Sequence, residues 1–269
     1  MSGKPAQSKV TEGATASPVD DRSVAARLFA ILDAFTAPPA SSLTLTAISQ
    51  RSGIPLSTVH RLVAEWVKWG GLARQDDGRY SLGMRLWELG VQTPTARNLR
   101  TIALPYLEDL YEATREHVNL AILDGQDALF LEKLSGHHAV RVISRVGGRL
   151  PLHATGVGLV LLAYAPLGVI QDYLSVPLQR FLPQTVTSPD ELRKRLAGIR
   201  SQGIVYMSEE MTAGSSSIAA PIRDRTGQVV AAVSIVTHTT PRPSPDHERA
   251  VRVAAQGVSR ALGYRRASS

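Results

Sequence analysis

The chain contains no cysteine, which removes disulfides, thiolate metal sites and cysteine nucleophiles and fits a reducing compartment. It has no uninterrupted apolar run of about 18 residues or more, so no membrane-spanning helix is expected. Its first stretch, MSGKPAQSKVTEGATASPVDD, lacks the apolar core of a secretory signal, and residues 1–21 read as a disordered tail on a cytoplasmic protein. No internal repeat is visible. No serine stands on a Gly-x-Ser-x-Gly elbow, and Glu209 and Glu210 are consecutive, hence on different faces of whatever carries them. Enzyme activity is not expected. Gly156-Val157-Gly158 is a fragment of a dinucleotide fingerprint, but Leu161 occupies the place of the third glycine. No cofactor is expected.

What is present suits two domains: 269 residues, 43% hydrophobic and 20% charged, enough for two cores of ordinary size. The formal charge is +7, from 30 Lys and Arg against 23 Asp and Glu. Its distribution matters more than its sum. Between Arg22 and Arg100 there are ten basic and five acidic residues, so this third of the chain carries +5 of the +7. Such a surface attracts phosphate through counterion release, although basic charge is often only a solvated face.

That basic third holds the stretch LTLTAISQRSGIPLSTVHRLVAEWVKWGGL. Leu45, Ala47 and Ile48 space a short helix up to Gly53, and Pro55 marks entry to a second one with Val59, Leu62, Val63 and Trp66 on one face. Glycine suits the turn because it tolerates positive φ, and proline suits a helix start because its missing N–H would be unpaired there. The result is a helix-turn-helix. Leu56, Ser57, Thr58, His60 and Arg61 around the first turns of the second helix suit a DNA major groove, and Arg51, Arg74 and Arg79 suit phosphates. The bland reading of Arg61 is a solvent-exposed surface arginine. Residues 72–75 and 79–82 flank Asp76-Asp77-Gly78, a hairpin placed as a wing. Ser23 can cap an earlier helix carrying Val24, Leu28, Ile31, Leu32 and Phe35.

Residues 83–90 read as a short amphipathic helix interrupted at Thr93-Pro94-Thr95, where the domain boundary is placed. The divisions are a tail at 1–21, a winged helix-turn-helix at 22–83, a linker helix at 84–98 and a second domain at 99–265. In that second domain a helix to Arg115 precedes strand candidates at 118–123, 128–131, 140–144, 217–222 and 229–236. Helices are expected at 156–165, around Ile170, at 189–199 and from Pro245 toward Leu262. Strands with flanking helices describe an α+β sheet domain with a concave face suited to small molecules.

With these residues laid out, the chain resembles the IclR family of bacterial transcriptional regulators over nearly its whole length after the tail. The resemblance is carried by LTLTAISQRSGIPLSTVHRL, DGRYSLGMRLWELG, VNLAILDGQDALFLEKL, GGRLPLHATGVGLVLLA, GIVYMSEEMTAGSSSIAAPIRDRTGQVVAAVSI and the C-terminal helix. It implies a winged helix-turn-helix, a linker helix and a GAF-like α/β effector-binding domain, in dimers often paired into tetramers on palindromic double-stranded operator DNA. The implied function is a ligand-responsive regulator sensing a small organic acid or related metabolite. A rival is a metabolite-sensing or enzymatic α/β domain whose helix-turn-helix mediates protein contacts.

Carried over position by position, the family's effector site falls on Leu152, His153, Ala154, Thr155, Gly156, Met207, Gly214, Ser215, Ser216, Ser217, Ser234 and Val236. This chain departs from the pattern. Ala154 and Ser217 stand where relatives often have cysteine, Met207 where an acid is frequent, and Val236 where serine occurs. The ligand of a relative is therefore not carried over, and the less polar pocket points to a larger or aromatic one. The residues themselves offer two anion-friendly features: consecutive N–H groups and hydroxyls in Gly214-Ser215-Ser216-Ser217, with a serine-rich turn as the alternative, and Gly156 at a helix start after Thr155. His137, His138 and His153 are the only histidines near enough in sequence to suggest a metal. Adjacent histidines in a strand face opposite ways, so a metal site is not expected.

Overall fold

The computed structural model describes residues 22–36, 40–90, 92–136, 140, 142–240 and 244–265, the side chains of 94–97 excepted. Two compact units result, Met1–Gly90 and Val91–Ser269.

In the first unit, helix α1 (Val24–Asp33) opens on Ser23, whose hydroxyl accepts from the Ala26 N–H at 3.1 Å. Helix α2 (Leu45–Ser52) opens in the same way on Thr44 and closes on Gly53 at φ 66°, a left-handed conformation that glycine adopts without Cβ strain. Helix α3 (Leu56–Trp69) then starts after Pro55. Val59, Leu62 and Val63 on its inner face meet Ile31, Phe35, Ile48 and Ile54 in one core, and the Trp66 indole N–H ties it to the Leu28 carbonyl of α1 at 3.1 Å. Strands β1 (Leu72–Arg74) and β2 (Tyr80–Leu82) form the expected antiparallel wing, with Leu43 bridging to Tyr80 at its side. Helix α4 (Met84–Gly90) follows. The segment 84–98 expected as a linker helix thus comprises α4 and the first residues of α5 (Pro94–Thr114), with Pro94 at the start of the new helix.

The second unit is a six-stranded, wholly antiparallel sheet in the order β5-β4-β3-β8-β7-β6. Its strands are β3 (His117–Asp124), β4 (Asp127–Leu134), β5 (Arg149–Pro151), β6 (Val205–Ser208), β7 (Ser215–Arg223) and β8 (Val229–His238). Period-two alternation divides each strand between two cores. Val118, Leu120, Ile218, Ile222 and Val233 pack with α5 and α9 (Pro245–Ala261). Phe130, Val205, Met207, Ala219 and Ala232 pack on the other side with α6 (Gly156–Ala163), α7 (Leu167–Leu174) and α8 (Pro189–Gln202). All eight residues of α6 are buried, which explains a sequence apolar all round rather than on one stripe.

Two expectations change. Residues 140 and 142–144, expected within a strand at 140–144, lie outside the sheet: the Ser144 carbonyl is held by Lys133 Nζ at 2.8 Å and its hydroxyl by Asn119. The expected strands do not include β5 and β6, which are three and four residues long, too short to establish a period in the sequence. Residues 1–21 and His137 and His138 lie outside the described residues. Among the described residues no helix is long and apolar enough to cross a membrane.

Candidate functional site

In the first unit the outer face of α3 presents Leu56, Ser57, His60 and Arg61 to solvent, with Thr58 half-buried. The inner face is fully committed to the core, so the outer face is the surface this helix offers a groove. The four arginines expected near DNA divide. Arg51 donates to the Ala34 carbonyl at the end of α1 at 3.0 Å, and Arg79 binds the hydroxyl and carbonyl of Ser42 at 3.0 and 3.3 Å. Both are exposed and tie elements of the unit together. Arg61 on α3 and Arg74 on the wing make no ion pair or hydrogen bond with a described residue. Sequence reasoning missed Arg22, which holds the Ser52 and Gly53 carbonyls at 3.1 Å each and so fixes the turn between the two motif helices.

The second unit contains a cavity open to solvent between the sheet and the N-terminus of α6. Its floor is built by strand pairing. Asn119, Ser234 and Ala219 are register partners across β3, β8 and β7; Val236, Ser217 and Met207 form the next row. Partners in register share a face, so these side chains point together toward α6. Gly156 lies close above them: a Cβ there would sit 2.5 Å from Ser217 Oγ and 3.3 Å from Ala219 Cβ. Ala154, Thr155 and Val157 line the same end; Phe130, Leu150 and residues 142–144 form one wall, and 209–212 another.

Of the twelve expected effector residues, eight line this cavity: Ala154, Thr155, Gly156, Met207, Ser215, Ser217, Ser234 and Val236. The remaining four do not, each for a local reason. Leu152 is wholly buried in the α6 core. Ser216 points to the other face of β7, where it binds Tyr206 and Ser208. Gly214 is a left-handed turn residue whose N–H is taken by Glu209 Oε1 at 2.8 Å. His153 is a strut: its Nε2 donates to the Gln179 carbonyl at 2.9 Å, while Nδ1 accepts from Tyr173 Oη at 2.7 Å. Burial holds the pKa of His153 below its usual value and raises that of the Tyr173 phenol, consistent with a neutral ring.

The expected anion nest at 214–217 is also corrected. The Gly214 amide is committed to Glu209, the Ser215 amide to the Thr212 carbonyl, and Ser216 and Ser217 belong to the β7 ladder. Free donors are found instead at α6. There Thr155 Oγ1 accepts from the Gly158 N–H at 3.2 Å and the Thr155 carbonyl takes Leu159, leaving the Gly156 and Val157 N–H groups without an acceptor among the described residues. The hydroxyls of Ser217 and Ser234, the latter 2% exposed, likewise have no hydrogen-bond partner there. Among the described residues no lysine, arginine or histidine lines the cavity, and two glutamates do, Glu209 with its carboxylate on the Gly214 N–H. Glu210 is neutralised by a two-pronged bond to Arg195, at 2.7 and 2.8 Å. Negative charge on a ligand is therefore matched by backbone donors and the dipole of α6.

Set against known proteins, residues 91–260 match the sequence profile of the bacterial transcriptional regulator IclR C-terminal domain, and residues 24–77 match that of the IclR helix-turn-helix domain. The chain is 33% identical over 243 residues to the HTH-type transcriptional regulator XynR of Escherichia coli, covering 88% of this chain and 96% of that one. Among solved structures it is similar to an IclR homolog complexed with 4-hydroxybenzoate from Microbacterium hydrocarbonoxydans. There the identity is 41% and the TM-score 0.83, over 89% of this chain and 99% of that one. It is also similar to the Thermotoga maritima IclR, at 29% identity and TM-score 0.72, over 88% and 98%. XynR is named as a transcriptional regulator.

Proposed function

This chain belongs to the IclR family of bacterial transcriptional regulators, and from that premise we propose which residues meet DNA and what its cavity senses. It is a DNA-binding regulator that responds to a small molecule. On our reading Arg61, with Ser57, Thr58 and His60, meets base edges, since a fork of donors suits guanine and short hydroxyls suit bases or phosphates. Arg74 meets a phosphate from the wing; Arg51 and Arg79 act chiefly by holding the unit in shape.

The effector is a monocarboxylate with an apolar, aromatic body. The observation that carries this is the cavity's division. One end has the free Gly156 and Val157 amides beside the unpartnered Ser217 hydroxyl, Ser234 lies midway along the floor, and the walls are Phe130, Val142, Leu150, Met207, Met211 and Val236. Such an end solvates one carboxylate through backbone and hydroxyl donors, and such walls favour an aromatic ring over a short oxoacid. The similarity to a homolog crystallised with 4-hydroxybenzoate points the same way. Calorimetric titration of the full chain with benzoates, and with pyruvate and glyoxylate for comparison, tests it. Tighter binding of the benzoates is expected; tighter binding of the short oxoacids would reject the aromatic reading.

The protein acts in the cytoplasm on double-stranded operator DNA, as a homodimer that can pair into a tetramer, and catalyses no reaction. The exposed apolar side chains Met84, Trp87 and Leu89 of α4 support self-association, since neighbouring exposed apolar groups on one short helix suit a protein–protein contact.

A further inference from the structure

Beside the carboxylate end, the cavity has a second polar group that neither the resemblance nor the motif reading assigns. Asn119, at the middle of β3, is 1% exposed and lines the cavity. Its Oδ1 accepts a 3.1 Å hydrogen bond from Ser144 Oγ. Its Nδ2 donates to no described residue. Turning the amide over changes nothing essential: Ser144 would then accept, and the amide oxygen would be the unsatisfied atom. The free amide atom opens onto the cavity, so a group on a bound ligand is placed to complete it. The neighbouring residues do not complete it. Lys133 Nζ is engaged with the Ser144 carbonyl, and the in-register neighbour across β8 is Ser234, a cavity residue itself.

The sheet gives the distance. From Asn119 to Ala219, below the N-terminus of α6, is two ladder steps, through Ser234, or roughly 10 Å. A benzene ring with a carboxylate at one end, a hydroxyl at the opposite end and a hydrogen bond beyond each has that reach. An unsubstituted ring stops short of Asn119, and a meta hydroxyl points aside from it. A phenolic hydroxyl also suits the chemistry, since it donates and accepts and so serves either orientation of the amide, with Ser144 rotating to match.

We propose that Asn119 and Ser144 determine specificity by binding a para hydroxyl on the effector, which makes the effector a para-hydroxylated aryl carboxylate. This rests on the aromatic-carboxylate reading above. Ser144 lies in the irregular segment at the cavity wall, so the same hydroxyl joins that segment to the sheet.

The test is calorimetric titration of the full chain and of Asn119→Ala and Ser144→Ala with benzoate, 3-hydroxybenzoate and 4-hydroxybenzoate. Ser144 is off the sheet, so its variant keeps the test alive if the strand variant does not fold. The wild type is expected to favour 4-hydroxybenzoate over both others by about tenfold, the worth of one neutral hydrogen bond, with the ratio falling toward one in the variants. Equal wild-type affinity for benzoate and 4-hydroxybenzoate overturns the proposal and leaves the aromatic reading standing. So does a ratio unchanged in the variants. Binding of none of the three by protein that still binds DNA overturns both.

Discussion

Replacing Gly156 by alanine puts a methyl carbon 2.5 Å from Ser217 Oγ and 3.3 Å from Ala219 Cβ. The serine hydroxyl can rotate aside. The Ala219 β-carbon cannot, because it is fixed to a strand paired on both edges, so the first turn of α6 must lift from the sheet. Overpacking lowers stability by about 1–3 kcal/mol, and alanine returns little in helix propensity because residue 156 is the first of α6 and not an interior position. Binding changes as well, because the Gly156 and Val157 amides move with that turn. A hydrogen bond to a charged group is worth about 1.5–3 kcal/mol, so losing one weakens an aryl carboxylate roughly ten- to hundredfold. Gly158→Ala is the contrast. Its methyl would meet the Leu152 carbonyl at 2.5 Å and Leu152 Cα at 2.6 Å, backbone atoms that cannot turn away, and it should lower Tm sharply. Calorimetric titration with thermal denaturation separates the two effects. A Gly156→Ala protein that binds the acid as tightly as wild type would refute the role given to the α6 amides.

Arg61→Ala should cost roughly 1–3 kcal/mol of DNA affinity, concentrated on one base pair, whereas Arg74→Ala should weaken all sequences alike and reduce the salt slope by about 1; binding to single-substituted operators across a salt series distinguishes them. Arg195→Met strands Glu210, whose side chain is 6% exposed, and should cost about 3 kcal/mol in a denaturant titration. The pH response follows His153. Burial lowers its pKa below the ordinary 6.5, so the unfolded chain binds the extra proton. Stability is then complete above pH 6.5 and declines as the pH falls below it, and His153→Gln should flatten that decline. His117, lowered by burial in the same way, contributes a parallel slope that remains in the variant.

The first unit was legible because its signals are local. Gly53, Pro55 and the spacing of Val59, Leu62 and Val63 lie within a dozen residues, and Asp76-Asp77-Gly78 names its own turn. The sheet of the second unit was legible where strands are long, as in β3, β7 and β8. It was illegible at β5 and β6, too short to show a period, and misleading at 142–144, where three consecutive residues serve a cavity wall and not a ladder. The cavity divides in the same way. Ser217, Ser234, Val236 and Met207 came with the resemblance, while Asn119 becomes a floor residue only because β3 pairs with β8, a partner more than a hundred residues away in sequence. Which way His153 turns depends on Tyr173 and Gln179, which no spacing around the histidine announces.

The central claim is that DNA and the effector act through one molecule with linked sites, and linkage is reciprocal. The direct measurement is effector affinity with and without saturating operator, the operator being recovered by selection from genomic fragments, alongside operator affinity with and without saturating 4-hydroxybenzoate at one fixed salt. The account predicts an operator preference of ~10³ or more over random duplex, changed by the acid, and the same factor in both titrations. Identical effector affinity in the presence and absence of operator would contradict it.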